Sequence, residues 1–136
     1  MGALANSGRG GNELARRLTR AYTGNRDMVV LDAAYHGNTT SLVDISPYKH
    51  AGPGGAGAPD WVQVAALPDV YRGPYKASDL DAGEKYAASV AEAIGQILEL
   101  GSGVGGFIAE TCPSVGGQLI MPKGYLARVY EHVRKA

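Results

Sequence analysis

Apolar and polar positions along this chain change period several times, and each change marks an element. Leu14, Leu18 and Ala21 recur at helical spacing while Arg16, Arg17 and Arg20 fall mainly elsewhere, which predicts an amphipathic helix. Gly24 and Asn25 end it. "MVVLD" (28–32) is a short apolar run rich in β-branched residues, as a strand covered on both faces requires. "WVQVAAL" (61–67) partly alternates and predicts a second strand, followed by the proline-broken "PDVYRGPY". Asp81 with Glu84 has capping-box spacing, and Tyr86, Val90, Ala93 or Ile94, Ile97 and Leu98 form an apolar helical stripe that Gly101 and Gly103 terminate. "VGGFIAE" (104–110) predicts a third strand. The last helix begins at Pro122 and repeats Leu126, Val129, Tyr130 and Val133. Strands alternating with helices imply an α/β fold: a mainly parallel sheet with helices on its faces, in three layers.

Composition narrows the picture. A chain of 136 residues is about one domain, so 1–136 is expected to be a single unit, with the Gly/Pro-rich "AGPGGAGAPD" at 51–60 as an internal loop. Thirteen basic and thirteen acidic side chains give zero net charge, so neither nucleic acid nor an anionic membrane is expected as a partner. Cys112 is the only cysteine, which fits a reducing, cytoplasmic setting. No stretch approaches the roughly 20 apolar residues of a membrane span, and the first residues lack a secretory pattern.

In open α/β sheets chemistry gathers where strands end and helices begin. Three such places stand out. "NSGRGGNE" (6–13) sets glycines before a helix, where free backbone N–H groups and the helix dipole favour an anion and Arg9 adds a positive charge. A chain end in which the glycines have no role is an equal alternative on these residues alone. "AAYHG" (33–37) follows the first strand and offers an aromatic face at Tyr35 and a titratable ring at His36, with Gly37 allowing a turn; a surface histidine beside a half-buried tyrosine is the plainer reading. Glu110 closes an apolar strand, where a carboxylate is either solvated or held for a purpose.

Other chemistries lack support. His36, His50 and His132 are too scattered for a zinc motif, Cys112 has no cysteine partner, and Ser7, Ser41 and Ser114 lack a G-x-S-x-G frame. "SGRGGN" does not match the dinucleotide-binding G-x-G-x-x-G.

Taken in order, "NSG", "NELARRLTRAYTGNRDMVVLDAAYHGNTTSLVDISPYKH" and "FIAETCPSVGGQLIMPKGYLARVYEHVRK" resemble the large domain of the class III aminotransferases, enzymes that use pyridoxal 5'-phosphate. "DISPYKHAGPGGAGAPDWV" is most similar to the phospho-lyase branch, the relatives of ethanolamine-phosphate and 5-phosphohydroxy-lysine phospho-lyases. The resemblance implies that Ser7, Gly8 and position 9 cradle the cofactor phosphate, that Tyr35 stacks on the pyridine ring with His36 and Gly37 completing its motif, and that Glu110 is the acid beside the cofactor pocket. It also implies a small amine or phospho-amine substrate and a homodimer.

Two departures from the family pattern qualify this. Arg9, Gly10 and Gly11 stand where the family has serine, glutamate and alanine, and two glycines in a first helical turn cost roughly 1 kcal/mol each against alanine. Arg9 either supplies a guanidinium to the phosphate or blocks it. The family's aspartate for the pyridine nitrogen and its Schiff-base lysine have no counterpart here, and Lys49, Lys76, Lys85, Lys123 and Lys135 match neither. The expectation is a fragment of the large domain that is inactive by itself. The alternative is a non-catalytic α/β module that binds a phosphate ligand or a partner chain.

Overall fold

The structure, a computed structural model, describes residues 2–136. Helix α1 (Gly8–Thr23) leads into strand β1 (Asp27–Leu31), two short helices α2 (Thr40–Asp44) and α3 (Pro47–His50), strand β2 (Val62–Ala65), helix α4 (Ala82–Glu99), strand β3 (Val104–Ile108) and helix α5 (Tyr125–Lys135). The three strands form one parallel sheet in the order β2-β1-β3. The central strand is buried at all five positions, the reason residues 28–31 are a continuous apolar run rather than an alternation.

Side chains of β1 divide between two cores. Val29 and Leu31 pack with Tyr86, Val90, Ile94 and Ile97 of α4 and with Tyr125 and Val129 of α5. Met28 and Val30 face the other way, onto Leu42, Ile45 and Trp61. Burial of Val90, Ile94 and Ile97 contributes roughly 5–9 kcal/mol at about 1.5–3 kcal/mol per large apolar side chain. The result is three layers, as the element pattern implies.

Glycines decide two close approaches. Residue pairing between β1 and β3 jumps from Asp27↔Val104 to Met28↔Gly106, leaving Gly105 as the extra residue of a bulge. A Cβ there would lie 2.9 Å from the Asp27 carbonyl oxygen. Gly83, in the first turn of α4, admits the backbone of the segment before α5, since its Cβ would lie 2.3 Å from the Lys123 carbonyl oxygen.

Several local expectations are corrected. The last helix begins at Tyr125 rather than Pro122: Tyr125 N–H bonds the Pro122 carbonyl in a turn, and Gly124 adopts a left-handed φ of 83°, which breaks helical continuity. Asp81 does not close a capping box. Its φ and ψ of −102° and 11° are not the extended values a cap needs, and its carboxylate pairs with Lys85 Nζ at 3.0 Å instead. Helix α1 is amphipathic, yet none of its residues is buried, and Leu18 is 56% exposed. Leu98 and Tyr130, placed on apolar stripes by spacing, are half exposed. Helices α2 and α3 were not anticipated, because five- and four-residue helices are too short for a period to register. The 51–60 segment is a loop without helix or strand.

Candidate functional site

The amino end of α1 is built by its own sequence. Ser7 is the N-cap, extended at φ −157° and ψ 156°, and its Oγ accepts the Gly10 N–H at 3.2 Å while its carbonyl accepts the Gly11 N–H at 3.0 Å. The N–H groups of Gly8 and Arg9, in the first turn, have no acceptor among the described residues. They are the free donors that an anion would use, and the Ser7 hydroxyl retains its own proton to donate.

The loop after β1 is fixed to this helix end by contacts from distant parts of the chain. Tyr35 N–H donates to Glu110 Oε1 at 2.8 Å, His36 N–H donates to Ser46 Oγ at 2.9 Å, and the His36 carbonyl accepts Asn12 Nδ2 at 2.8 Å. Ser46 Oγ in turn donates to the Leu42 carbonyl at 2.6 Å. Gly37 has φ 140°, and a Cβ on it would stand 2.6 Å from Leu42 Cδ1 and 3.0 Å from Arg9 Cβ. Only glycine allows the loop and the helix to meet this closely.

These contacts produce one open cleft of about 370 Å³. Ser7, Gly8, Arg9 and Asn12 line it from α1; Tyr35, His36, Gly37 and Asn38 line it from the loop. The imidazole of His36 is 5% exposed, and its Nε2 has no hydrogen-bond partner. Burial pushes its pKa below the ordinary histidine value, partly offset by the nearby Glu110 carboxylate, so the ring is neutral at pH 7. Tyr35 meets Tyr48 edge to face at 6.2 Å, and Lys49 Nζ lies 5.7 Å from the Tyr35 ring centroid.

Six of the seven residues singled out in the sequence therefore meet at one cleft. Glu110 does not line it. Its two carboxylate oxygens are engaged with the backbone N–H groups of Tyr35 and Ser114, each at 2.8 Å, so it holds the aromatic loop and the 110–114 turn in place. Sequence reasoning also missed Asn12, Ser46 and Lys49. Asn12 and Ser46 act on the backbone of His36 from 24 and 10 residues away, and no local pattern encodes such a pairing.

The donor set suits a phosphate ester joined to a flat heteroaromatic ring. Two unengaged helix N–H groups and the serine hydroxyl belong to residues that line the same cleft as Tyr35 and His36, with the imidazole Nε2 buried behind the cleft wall without a partner. No group of three or more histidine, cysteine, aspartate or glutamate side chains among the described residues is placed to hold a metal ion. Among those residues, no helix is long and apolar enough to cross a membrane.

No protein-family model matches the chain. Individual relatives do. A Drosophila melanogaster protein described as alanine–glyoxylate aminotransferase 2-like is 46% identical over 136 residues, covering 98% of this chain and 28% of the relative. A Caenorhabditis elegans ethanolamine-phosphate phospho-lyase homolog is 39% identical over 140 residues, covering 96% of this chain and 30% of the relative. Among solved structures, a phospholyase from Arthrobacter in complex with phosphoethanolamine superposes with a TM-score of 0.80 at 34% identity, over 96% of this chain and 30% of that one. A transaminase with L-alanine has a TM-score of 0.78 at 20% identity, a likeness of fold. The chain thus spans less than a third of the length of these relatives. The resemblance to class III aminotransferases and their phospho-lyase branch is borne out, and enzymes of this family use pyridoxal phosphate.

Proposed function

We propose, on the premise that this chain corresponds to a large-domain segment of the class III aminotransferases and phospho-lyases, that its cleft is the cradle for pyridoxal phosphate in an enzyme acting on small amines or phospho-amines. The observation that carries the reading is the convergence of Ser7, Gly8 and Arg9 with Tyr35 and His36, brought from two separate elements to one cavity. Bound there, the cofactor would supply electron withdrawal from the carbon bearing the substrate amine.

The roles of the chain's own residues follow from their donors and faces. The Gly8 and Arg9 N–H groups and the Ser7 hydroxyl hold the phosphate, and the positive end of α1 favours its charge. Tyr35 offers a ring face. Neutral, buried His36 packs behind the loop that lines the cleft, and Glu110 and Asn12 position the loop that carries both rings. A phospho-amine substrate is favoured by the Arthrobacter phospholyase, whose complex contains phosphoethanolamine. A cytoplasmic homodimer is part of the same proposal, as is the absence of turnover by these 136 residues alone.

Titration with pyridoxal phosphate tests it. Cofactor absorbance should stay with the protein through gel filtration, and Ser7→Ala and Tyr35→Ala should each weaken retention at least tenfold, about 1.4 kcal/mol. Equal retention by both variants would place the cofactor elsewhere. Loss of all retention in the unaltered chain would favour a module that binds only a partner chain.

A further inference from the structure

The zero net charge of the whole chain hides a local excess. The first 26 residues contain Arg9, Arg16, Arg17, Arg20 and Arg26 against a single acid, Glu13. The fold brings four of these arginines together: Arg16, Arg17 and Arg20 from the later turns of α1, and Arg26 from the residue before β1, line one cavity of about 80 Å³ with Asn25 and Met28. This cavity lies at the amino end of β1, whereas the cofactor cleft lies past its carboxyl end. Five strand residues at about 3.3 Å each separate them by roughly 16 Å.

Two of the guanidinium groups are fixed. Arg16 stacks over the Trp61 ring at 4.6 Å and Arg26 at 5.6 Å, on an indole that is only 8% exposed. Asp60 pairs with Arg26 at 3.0 Å and Asp27 stands 3.9 Å from it. Glu13, one turn before Arg16, is engaged by the hydroxyls of Thr39 and Ser41. Arg17 and Arg20 have no ion pair among the described residues.

A cation in the last turn of a helix complements the helix dipole, which accounts for Arg20. It does not account for Arg16 and Arg20 at i,i+4, a like-charge spacing that weakens a helix, nor for Arg26 closing the same cavity from another element. Four arginines lining one small cavity, with Arg16 and Arg26 held on a buried aromatic and Arg26 already paired to Asp60, form a receptor for a compact oxyanion, because the unpaired forks of Arg17 and Arg20 can each bind two oxygens at once.

We infer that this cavity is a second anion site, separate from the cofactor cradle, and that it takes a small soluble phosphate-bearing anion of two or more negative charges. Arg16 and Arg26 are its fixed walls, and Arg17 and Arg20 are the side chains that close on the ligand.

Trp61 is the only tryptophan in the chain, so its emission reports on the guanidinium groups stacked against it. Inorganic pyrophosphate, titrated at ionic strength held constant with potassium chloride, should change that emission saturably. The double variant Arg17→Gln with Arg20→Gln alters exposed side chains and should raise the dissociation constant at least tenfold with an unchanged far-ultraviolet circular dichroism spectrum. Ser7→Ala should leave it unchanged. A response matched by chloride alone, a response undiminished in the double variant, or one abolished by Ser7→Ala and kept by the double variant would each overturn the inference.

Discussion

Replacing Gly37 by alanine tests whether the loop and the helix must touch for the cleft to exist. The new Cβ would stand 2.6 Å from Leu42 Cδ1 and 3.0 Å from Arg9 Cβ, where carbon atoms pack at about 3.5–4.0 Å. Leu42 is fully buried between Ile45, Trp61 and the second face of the sheet, so it has little room to yield. Overpacking of this kind costs about 1–3 kcal/mol. An alanine held at φ 140° costs a further 1–3 kcal/mol or so. One backbone shift relieves part of both, which gives a net loss of about 2–4 kcal/mol. With a urea slope of about 2 kcal/mol per molar, the unfolding midpoint followed by Trp61 emission should fall by about 1–2 M. Retention of pyridoxal phosphate should fall as well, because the shift moves Tyr35 and His36 away from the Gly8 and Arg9 amides. A midpoint within about 0.3 M of the parent's would refute the close approach and the geometry of the cleft built on it.

Gly11→Ala is expected to do the opposite: its Cβ meets nothing within 4 Å, so the substitution should stabilise the chain by about 1 kcal/mol in the same urea assay. Glu110→Ala leaves the Tyr35 and Ser114 N–H groups without acceptors and should cost about 2–3 kcal/mol, with Glu110→Gln losing less because its amide oxygen still serves one of them. Tyr125→Phe removes a fully buried hydroxyl that has no partner, so thermal unfolding should show a gain of about 1 kcal/mol; a loss would mean that the hydroxyl is hydrogen-bonded after all. Burial holds His36 and His50 below the ordinary pKa of about 6.5, so the unfolded chain binds more protons than the native one below that pH. Stability should therefore drop as pH falls from 7 toward 5, and His36→Gln should flatten part of that slope in urea titrations.

The candidate cleft was partly legible because its components are short. Gly24 and Gly101 as left-handed helix stops and the apolar run of β1 each depend on residues within one turn or one strand, and the structure has them where the sequence implies. Glu110 illustrates the limit. Its position at a strand end is visible in the sequence, but its partner, the Tyr35 backbone, lies 75 residues earlier, so a role beside the cofactor and a role holding the loop read identically. Gly10 and Gly11 likewise look equivalent, yet a Cβ on Gly10 would press on Ser7 Oγ at 3.2 Å while one on Gly11 is free.

The sequence by itself determined the elements, their alternation and hence the parallel three-layer sheet, because hydrogen bonds within a helix and the two-residue period of a strand are set by neighbours along the chain. The tertiary structure alone decided that Asn12 meets His36, that Gly37 admits Arg9, and that four arginines of a neutral chain share one cavity. Those outcomes depend on strand register and on how α1 lies against the sheet. Both are fixed by packing between segments distant in sequence, where no local period is available to read.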